Sequence, residues 1–386
     1  MDKYEKTVQE LLALADITIN GKNPWDIQVN DKRVYKRVLT DGSIGAGESY
    51  MDGWWNAEAL DETMARISRA NIPDKINKNF KMLAFLIRNK FMNTSTVGRA
   101  YKVGKIHYDV GNELYEKMLD KDMNYTCGYW KDMGDVHTAW KDPANLDNAQ
   151  IAKMDLVCRK LYLKPGMKLL DTGCGFGNFA RYAAATYGVK VVGFTISEEQ
   201  AKKARERCLG LPVEIRYMDY REMKPEKFDR IASIGMMEHV THKNYEIYLT
   251  FLNNCLKEEG LLLLHTIGGN ESVTSFDPWA EKYIFPNSHL PSIAQIAKAA
   301  EHKFTIEDLQ NFGCYYYPTL MSWFSNFDKS WPELSKKYPK KYDKRFYRMW
   351  KFYLLSSAGG FKARGMQLFQ IVFSKSKRLE VYQAVR

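Results

Sequence analysis

The chain has 386 residues, which suits two domains or one large domain with an appendage, and its 45% hydrophobic and 27% charged residues exclude general disorder. Lys and Arg number 57 against 46 Asp and Glu, and the formal charge of +11 draws the protein toward a polyanion, either nucleic acid or an anionic membrane surface. No stretch approaches the ~18 consecutive apolar residues of a spanning helix, the N-terminus lacks a signal-peptide core and the cysteines show no zinc spacing; the expectation is a cytoplasmic protein with no metal site and no disulfides that at most lies on a membrane.

Residues 4–15 have the spacing of a short amphipathic helix. In GAGESYMDGWW (45–55) the glycines imply turns and the aromatics a small core. Between 74 and 91, Phe80, Leu83, Ala84 and Ile87 recur at helical spacing, while Lys75, Lys78, Lys81, Arg88 and Lys90 make the other side basic. That pattern fits a membrane-surface helix and equally a helix docked on its own domain. The polar stretch 92–104 is read as a linker between a smaller N-terminal domain, 1–91, and a larger one, 105–386.

From about 165 the pattern becomes regular. Strands are predicted at 167–171, 189–194, 213–219, 228–235 and 261–267, with helices at 178–187, 197–208 and 243–257 between them. Strands alternating with helices give an α/β fold, a doubly wound parallel sheet of Rossmann-like type. The apolar strand runs suit a sheet covered on both faces.

LLDTGCGFGN (169–178) carries the most specific local signal. Its glycines let the backbone turn tightly and approach a ligand, and the next helix points its N-terminus there. A dinucleotide fingerprint wants G-x-G-x-x-G/A, but here the sixth position is Asn178. Asp171 two residues before Gly173, Gly175 and Gly177 instead resembles motif I of the S-adenosylmethionine methyltransferases. The resemblance gives Asp171 the cofactor's ammonium group, the glycine backbone its carboxylate, and Asp219-Tyr220 the adenine. Many such enzymes carry an acid after the second strand; this chain has Thr195, which leaves the ribose to Gln200 or to the Thr195 hydroxyl.

GESYMDGWW, HYDVGNELY, MNYTCGYW, GFTISEEQ, GMMEHV, LLHTIG and DPWAEKYIFPN, in this order over nearly the whole chain, resemble the two-domain bacterial cyclopropane-fatty-acyl-phospholipid synthases. The resemblance implies transfer of a methylene group from S-adenosylmethionine to a cis double bond of an unsaturated membrane phospholipid. It implies cofactor contacts at Tyr125, Thr126, Gly173, Gly175, Thr195, Ile196, Gln200 and Tyr220. It further implies a bicarbonate base held by Cys127, Glu238, His265, the backbone of Ile267, and Tyr316, with Tyr315 and Tyr317 as rivals for the last. Taken singly, Cys127 and His265 also read as ordinary core residues and Glu238 as a helix cap. The larger domain becomes the catalytic one, and the smaller serves docking or dimerisation. Ser357 stands where members often have cysteine, and Lys362 where they have an arginine.

The same resemblance decides how KKYPKKYDKRFYRMWK (336–351) is read. Its cations and aromatics fit single-stranded nucleic acid or lipid headgroups, and lipid is preferred. The expected partners are therefore the anionic inner face of the membrane and a second copy of the chain, with no nucleic acid. The alternatives are a lipid methyltransferase that leaves a methyl branch, and a nucleic-acid or protein methyltransferase.

Overall fold

The computed structural model describes residues 2–72, 111–224, 226–375 and 378–386. The basic helix expected at 74–91 and the linker at 92–104 lie outside them, as does the start of HYDVGNELY.

Among the described residues, seven strands form one sheet in the order β5-β4-β3-β6-β7-β9-β8. They are β3 (Lys168–Thr172), β4 (Lys190–Thr195), β5 (Val213–Tyr217), β6 (Phe228–Ile234), β7 (Leu256–Gly269), β8 (Phe304–Asn311) and β9 (Met366–Lys375). β3 to β7 pair in parallel, whereas β9 runs antiparallel between β7 and β8. The central strands are short, rich in Val, Leu and Ile, and buried on both faces, as a sheet flanked by helices requires. The chain leaves β3 toward β4 on one side and returns to β6 on the other. This switch point leaves a crevice at the carboxyl ends of the strands, where α/β proteins bind ligands. The antiparallel pair β8–β9 was not predicted.

The predicted helices are present: the first has the expected bounds, and the second and third are shorter by one and two residues at each end. α6 (Asn178–Tyr187) follows the glycine loop, α7 (Glu198–Arg207) starts at Ser197, whose side chain accepts from the Gln200 amide, and α8 (Tyr245–Cys255) precedes β7. α4 (Asn112–Met118) and α5 (Ala144–Lys160) lie before the sheet. After β7 come α9 (Pro278–Tyr283), α10 (Ile293–Ala300), α11 (Tyr316–Lys337) and α12 (Lys344–Lys362).

The N-terminal elements are α1 (Lys3–Ala13), α2 (Arg33–Met51), α3 (Leu60–Arg69) and a two-stranded ribbon of β1 (Gln28–Val29) and β2 (Trp55–Asn56). The turn reading of GAG is corrected here: Gly45 and Gly47 lie inside α2, and the kink falls earlier, at Gly42 with φ 58°. These glycines serve close approach. A Cβ at Gly47 would stand 2.4 Å from the Trp279 indole, and one at Gly45 would stand 2.3 Å from the Arg37 carbonyl oxygen. α3 lies equally close to α12, where a Cβ at Gly359 would meet the Asp61 carbonyl at 2.5 Å. Tyr317 donates to Asp61 at 2.9 Å and Lys362 pairs with Glu62 at 2.9 Å across the same contact. N-terminal and C-terminal side chains therefore share one apolar core, in which Tyr50, Trp55, Trp279 and Phe352 pack ring on ring.

The basic run 336–351 is only partly free. Arg348 donates to the Tyr50 and Trp55 carbonyls, Arg345 pairs with Asp52 and Lys337 with Glu113. Lys336, Lys340, Lys341 and Lys344 remain exposed.

Candidate active site at the strand ends

A cavity of about 690 Å³ opens at the carboxyl ends of β3 and β6 and continues into the N-terminal helices. At its sheet end the glycine loop turns through positive φ at Gly173, Gly175 and Gly177 (73°, 54° and 78°), the left-handed region that favours glycine. A Cβ at Gly177 would stand 3.0 Å from that of Ala204, so this glycine serves helix packing. At Gly175 a Cβ would meet nothing nearer than the Gln200 amide nitrogen at 4.0 Å, so this glycine faces the cavity.

Asp171 and Asn178 line this end, and Asp171 Oδ2 and Asn178 Oδ1 are buried without a hydrogen-bond partner among the described residues. Burial raises the Asp171 carboxyl to about 7, against the pull of Lys153. Lys153 is itself buried, which lowers its ammonium to about 8, and it donates to the Thr126 hydroxyl at 3.0 Å. Two unsatisfied acceptors beside a buried cation and an open glycine backbone fit the amino-acid end of S-adenosylmethionine. The acceptors suit its ammonium, and the N–H groups and Lys153 suit its carboxylate.

Tyr125 lines the cavity, bonded to the Tyr353 hydroxyl at 2.8 Å and packed against Tyr115 and Trp323. The Thr195 hydroxyl lies 2.8 Å from Gln200 Oε1, which leaves the Gln200 amide group turned to the cavity. Thr195 and Ile196 are not on the cavity wall, and neither are Asp219 and Tyr220. The structure does not bring this last pair to the site as expected. Asp219 caps a short turn and binds Arg221 at 2.7 Å, and Tyr220 is buried against Tyr248 and Phe251.

Of the residues expected to hold the base, Glu238, Ile267 and Tyr316 line the cavity, whereas Cys127 and His265 do not. Glu238 sits on a single turn after β6, and its Oε1 accepts the Ile267 amide at 2.7 Å. Glu238 Oε2 is buried and unpartnered among the described residues, and burial raises the carboxyl to about 7. The Ile267 N–H assigned to bicarbonate is thus engaged by Glu238 here. Tyr316 lines the cavity at the start of α11, stacked on Phe361 at 4.4 Å. Burial holds its phenol, near Cys127 and Glu238, well above the usual range. The rivals point elsewhere, Tyr317 to Asp61 and Tyr315 to Tyr129 and Phe312. Cys127 and His265 stand behind the wall. The Cys127 thiol is pushed up by burial and lies 3.8 Å from the Thr319 hydroxyl. His265 is pushed well below its usual range by burial, so it is neutral. Its Nδ1 lies 3.2 Å from the Gln370 side-chain amide, and its Nε2 is buried without a partner among the described residues.

Lys153, Tyr353 and Gln370 were not anticipated. Lys153 shares α5 with Arg159 and Lys160, and nothing in the local pattern sets it apart. Gln370 had no local signal either, because its pairing with His265 arises from the antiparallel register of β7 and β9.

The family model described as mycolic acid cyclopropane synthetase matches residues 96–371. The chain belongs to the mycolic acid cyclopropane synthetase family. Within that family, the cyclopropane-fatty-acyl-phospholipid synthase of Escherichia coli (strain K12) is 47% identical over 97% of this chain and 94% of its own length. Two solved cyclopropane synthases share the fold at a TM-score of 0.62 and 28% identity, each covering 71% of this chain and 98% of its own. One is MmaA2 from Mycobacterium tuberculosis, and the other is CmaA1, solved complexed with SAH and CTAB.

Proposed function

We propose that the protein transfers a methylene unit from S-adenosylmethionine to a cis double bond in an acyl chain of a membrane phospholipid, producing a cyclopropane ring and S-adenosylhomocysteine. One observation carries this reading: a single cavity joins the glycine loop, with its unsatisfied acceptors, to an apolar, aromatic wall through Glu238 and Tyr316. The 47% identity to a synthase of that name supports it.

S-adenosylmethionine, when bound, supplies an electrophilic sulfonium methyl group. An alkene is a weak nucleophile, and its methylation leaves a carbocation on the neighbouring carbon. Tyr125, Tyr316 and Tyr353 offer electron-rich faces to positive charge there. Burial keeps these phenols protonated, so none presents an anion that would trap the cation. The new methyl group then loses a proton and its C–H electron pair closes the ring, for a net gain of one CH2.

Glu238 is a group on the wall placed to take or relay that proton, since its carboxyl titrates near neutrality. A bicarbonate base beside Glu238 requires that carboxyl to be neutral, since two adjacent anions in a buried site repel. The proposal includes peripheral contact with the anionic inner face of the membrane through Lys336, Lys340, Lys341 and Lys344, and a homodimer. No helix among the described residues is long and apolar enough to cross a membrane. Salt-sensitive co-sedimentation with anionic vesicles and light scattering check these two points.

The deciding experiment incubates the protein with methyl-labelled S-adenosylmethionine and phosphatidylglycerol vesicles carrying cis-monounsaturated chains. One labelled CH2 gained with loss of the alkene is the expected product. A methyl branch, carrying two further hydrogens, or label found only in added tRNA, overturns the reading.

A further inference from the structure

We propose that the N-terminal helices α1, α2 and α3 wall a distal acyl chamber, which receives the part of the lipid chain beyond the double bond and sets how long that part can be. The inference rests on the lipid reading above and names a site for it.

The cavity does not end at the sheet. The same cavity that Tyr316 and Phe361 line is lined also by Met64, Val34, Val38 and Ile67. The charged side chains of its described wall, Lys153, Asp171, Glu238 and Asp277, all belong to the larger half. Among the described residues, the N-terminal side of the wall carries no charged side chain and is made of Val, Leu, Ile, Met, Ala46 and the aromatic Tyr35 and Trp55, with Ser43 beside them. Such a wall offers nothing to a phosphate or an ammonium group and matches hydrocarbon. The whole cavity, cofactor end included, measures about 690 Å³.

Two further observations bear on the role. The matched family segment starts at residue 96, so this stretch of wall lies outside it, whereas the E. coli relative aligns over 97% of the chain. The chamber is therefore an addition to the shared core. It is also held to the site: α3 packs without clearance on α12, joined to it by Lys362–Glu62 and to α11 by Tyr317–Asp61, and α12 itself carries Tyr353 and Phe361 to the reacting end. A wall at fixed distance from the methyl donor measures chain length.

The test uses the full chain and vesicles holding equal oleoyl and cis-vaccenoyl phosphatidylglycerol. These chains have the same total length, but oleoyl carries two more carbons beyond the double bond. Val38→Trp and Ile67→Trp should lower the oleoyl-to-vaccenoyl product ratio roughly ten-fold, the scale on which an apolar pocket discriminates methylenes. Val38→Ala should move the ratio the other way, and Glu10→Trp, on the exposed face of α1, should leave it unchanged. S-adenosylmethionine binding by calorimetry should stay at the wild-type value in all four. An unchanged ratio, or equal loss of both products with cofactor binding intact, overturns the chamber. Binding of cis-parinaric acid, read by fluorescence, separates the two proposals. If the wild type makes no cyclopropane but binds the probe, and both Trp variants weaken binding, only the reaction fails. Undiminished probe binding in the Trp variants overturns the chamber whatever the wild type makes.

Discussion

The two ends of the cavity are built on opposite plans. At the sheet end, short strands deliver polar groups to fixed points, and several, including Asp171 Oδ2 and Glu238 Oε2, are buried without partners among the described residues. At the helical end, side chains from α1, α2 and α3 form a largely apolar wall with few directional bonds to offer. The first plan specifies chemistry by orientation and the second selects by volume. Changes at the sheet end should therefore affect rate or cofactor affinity, and changes at the helical end should affect which chain reacts.

The largest effect is expected at Glu238. Glu238→Gln keeps the size of the side chain and an acceptor for the Ile267 amide, but removes its ability to carry a proton. Turnover should fall roughly 10²–10⁴-fold, the range of a lost acid–base group, while calorimetric cofactor affinity stays near wild type. A fall in cofactor affinity that matches the loss of rate would move Glu238 from the proton step to binding.

Next comes Lys153. Lys153→Met removes the buried cation beside Asp171 and Thr126. The S-adenosylmethionine Kd should rise about ten-fold or more, as for other charged hydrogen bonds lost in a dry site, with the oleoyl-to-vaccenoyl ratio unchanged. A shifted ratio would break the separation between the two ends.

The same division explains what the sequence disclosed. Strand alternation and the Asp171–Gly177 loop are local patterns, and they located the parallel sheet and the cofactor end from a few adjacent residues. Glu238, Tyr316 and Ile267 needed the family resemblance, because they come together only once separate elements fold. Asp219 and Tyr220 do not line the described cavity, because position at a strand end does not tell which way a side chain turns, and Asp219 is paired with Arg221. The glycines of α2 read as turns because glycine is used both for positive φ and for close approach, and only the Trp279 ring distinguishes them. The helical wall left no motif, since Val34, Val38 and Ile67 are ordinary apolar residues until α3 meets α12.

A smaller effect is expected where the two regions touch. Gly47→Ala places a methyl group against Trp279, which must shift or push α2 away. The cost should be about 1–3 kcal/mol, as for other overpacked contacts, read as a lower thermal midpoint with cofactor affinity retained. Unchanged stability would show that α2 moves freely against α9 and would remove the rigid spacing on which the chamber depends.

The smallest effect concerns how dry the sheet end is. Burial raises Glu238 from 4.5 to about 7, so the folded protein keeps this proton while the unfolded chain releases it near 4.5. Between those values the folded state binds more protons than the unfolded one, and stability from this group falls as pH rises, with the loss complete above about 7. Asp171, raised from 3.8 to about 7, acts in the same direction. His239, depressed from 6.5 to about 4, opposes both by adding stability as pH rises toward 6.5, so the wild-type profile alone mixes the terms. The difference between wild type and Glu238→Gln isolates one. Across pH 4.5 to 7 the variant's thermal midpoint should gain steadily on that of the wild type, and above about 7 the difference should stay constant. A difference that is flat throughout would mean Glu238 ionises as it does in water. The sheet end would then be wet, and its unsatisfied groups would be satisfied by solvent rather than held for a ligand.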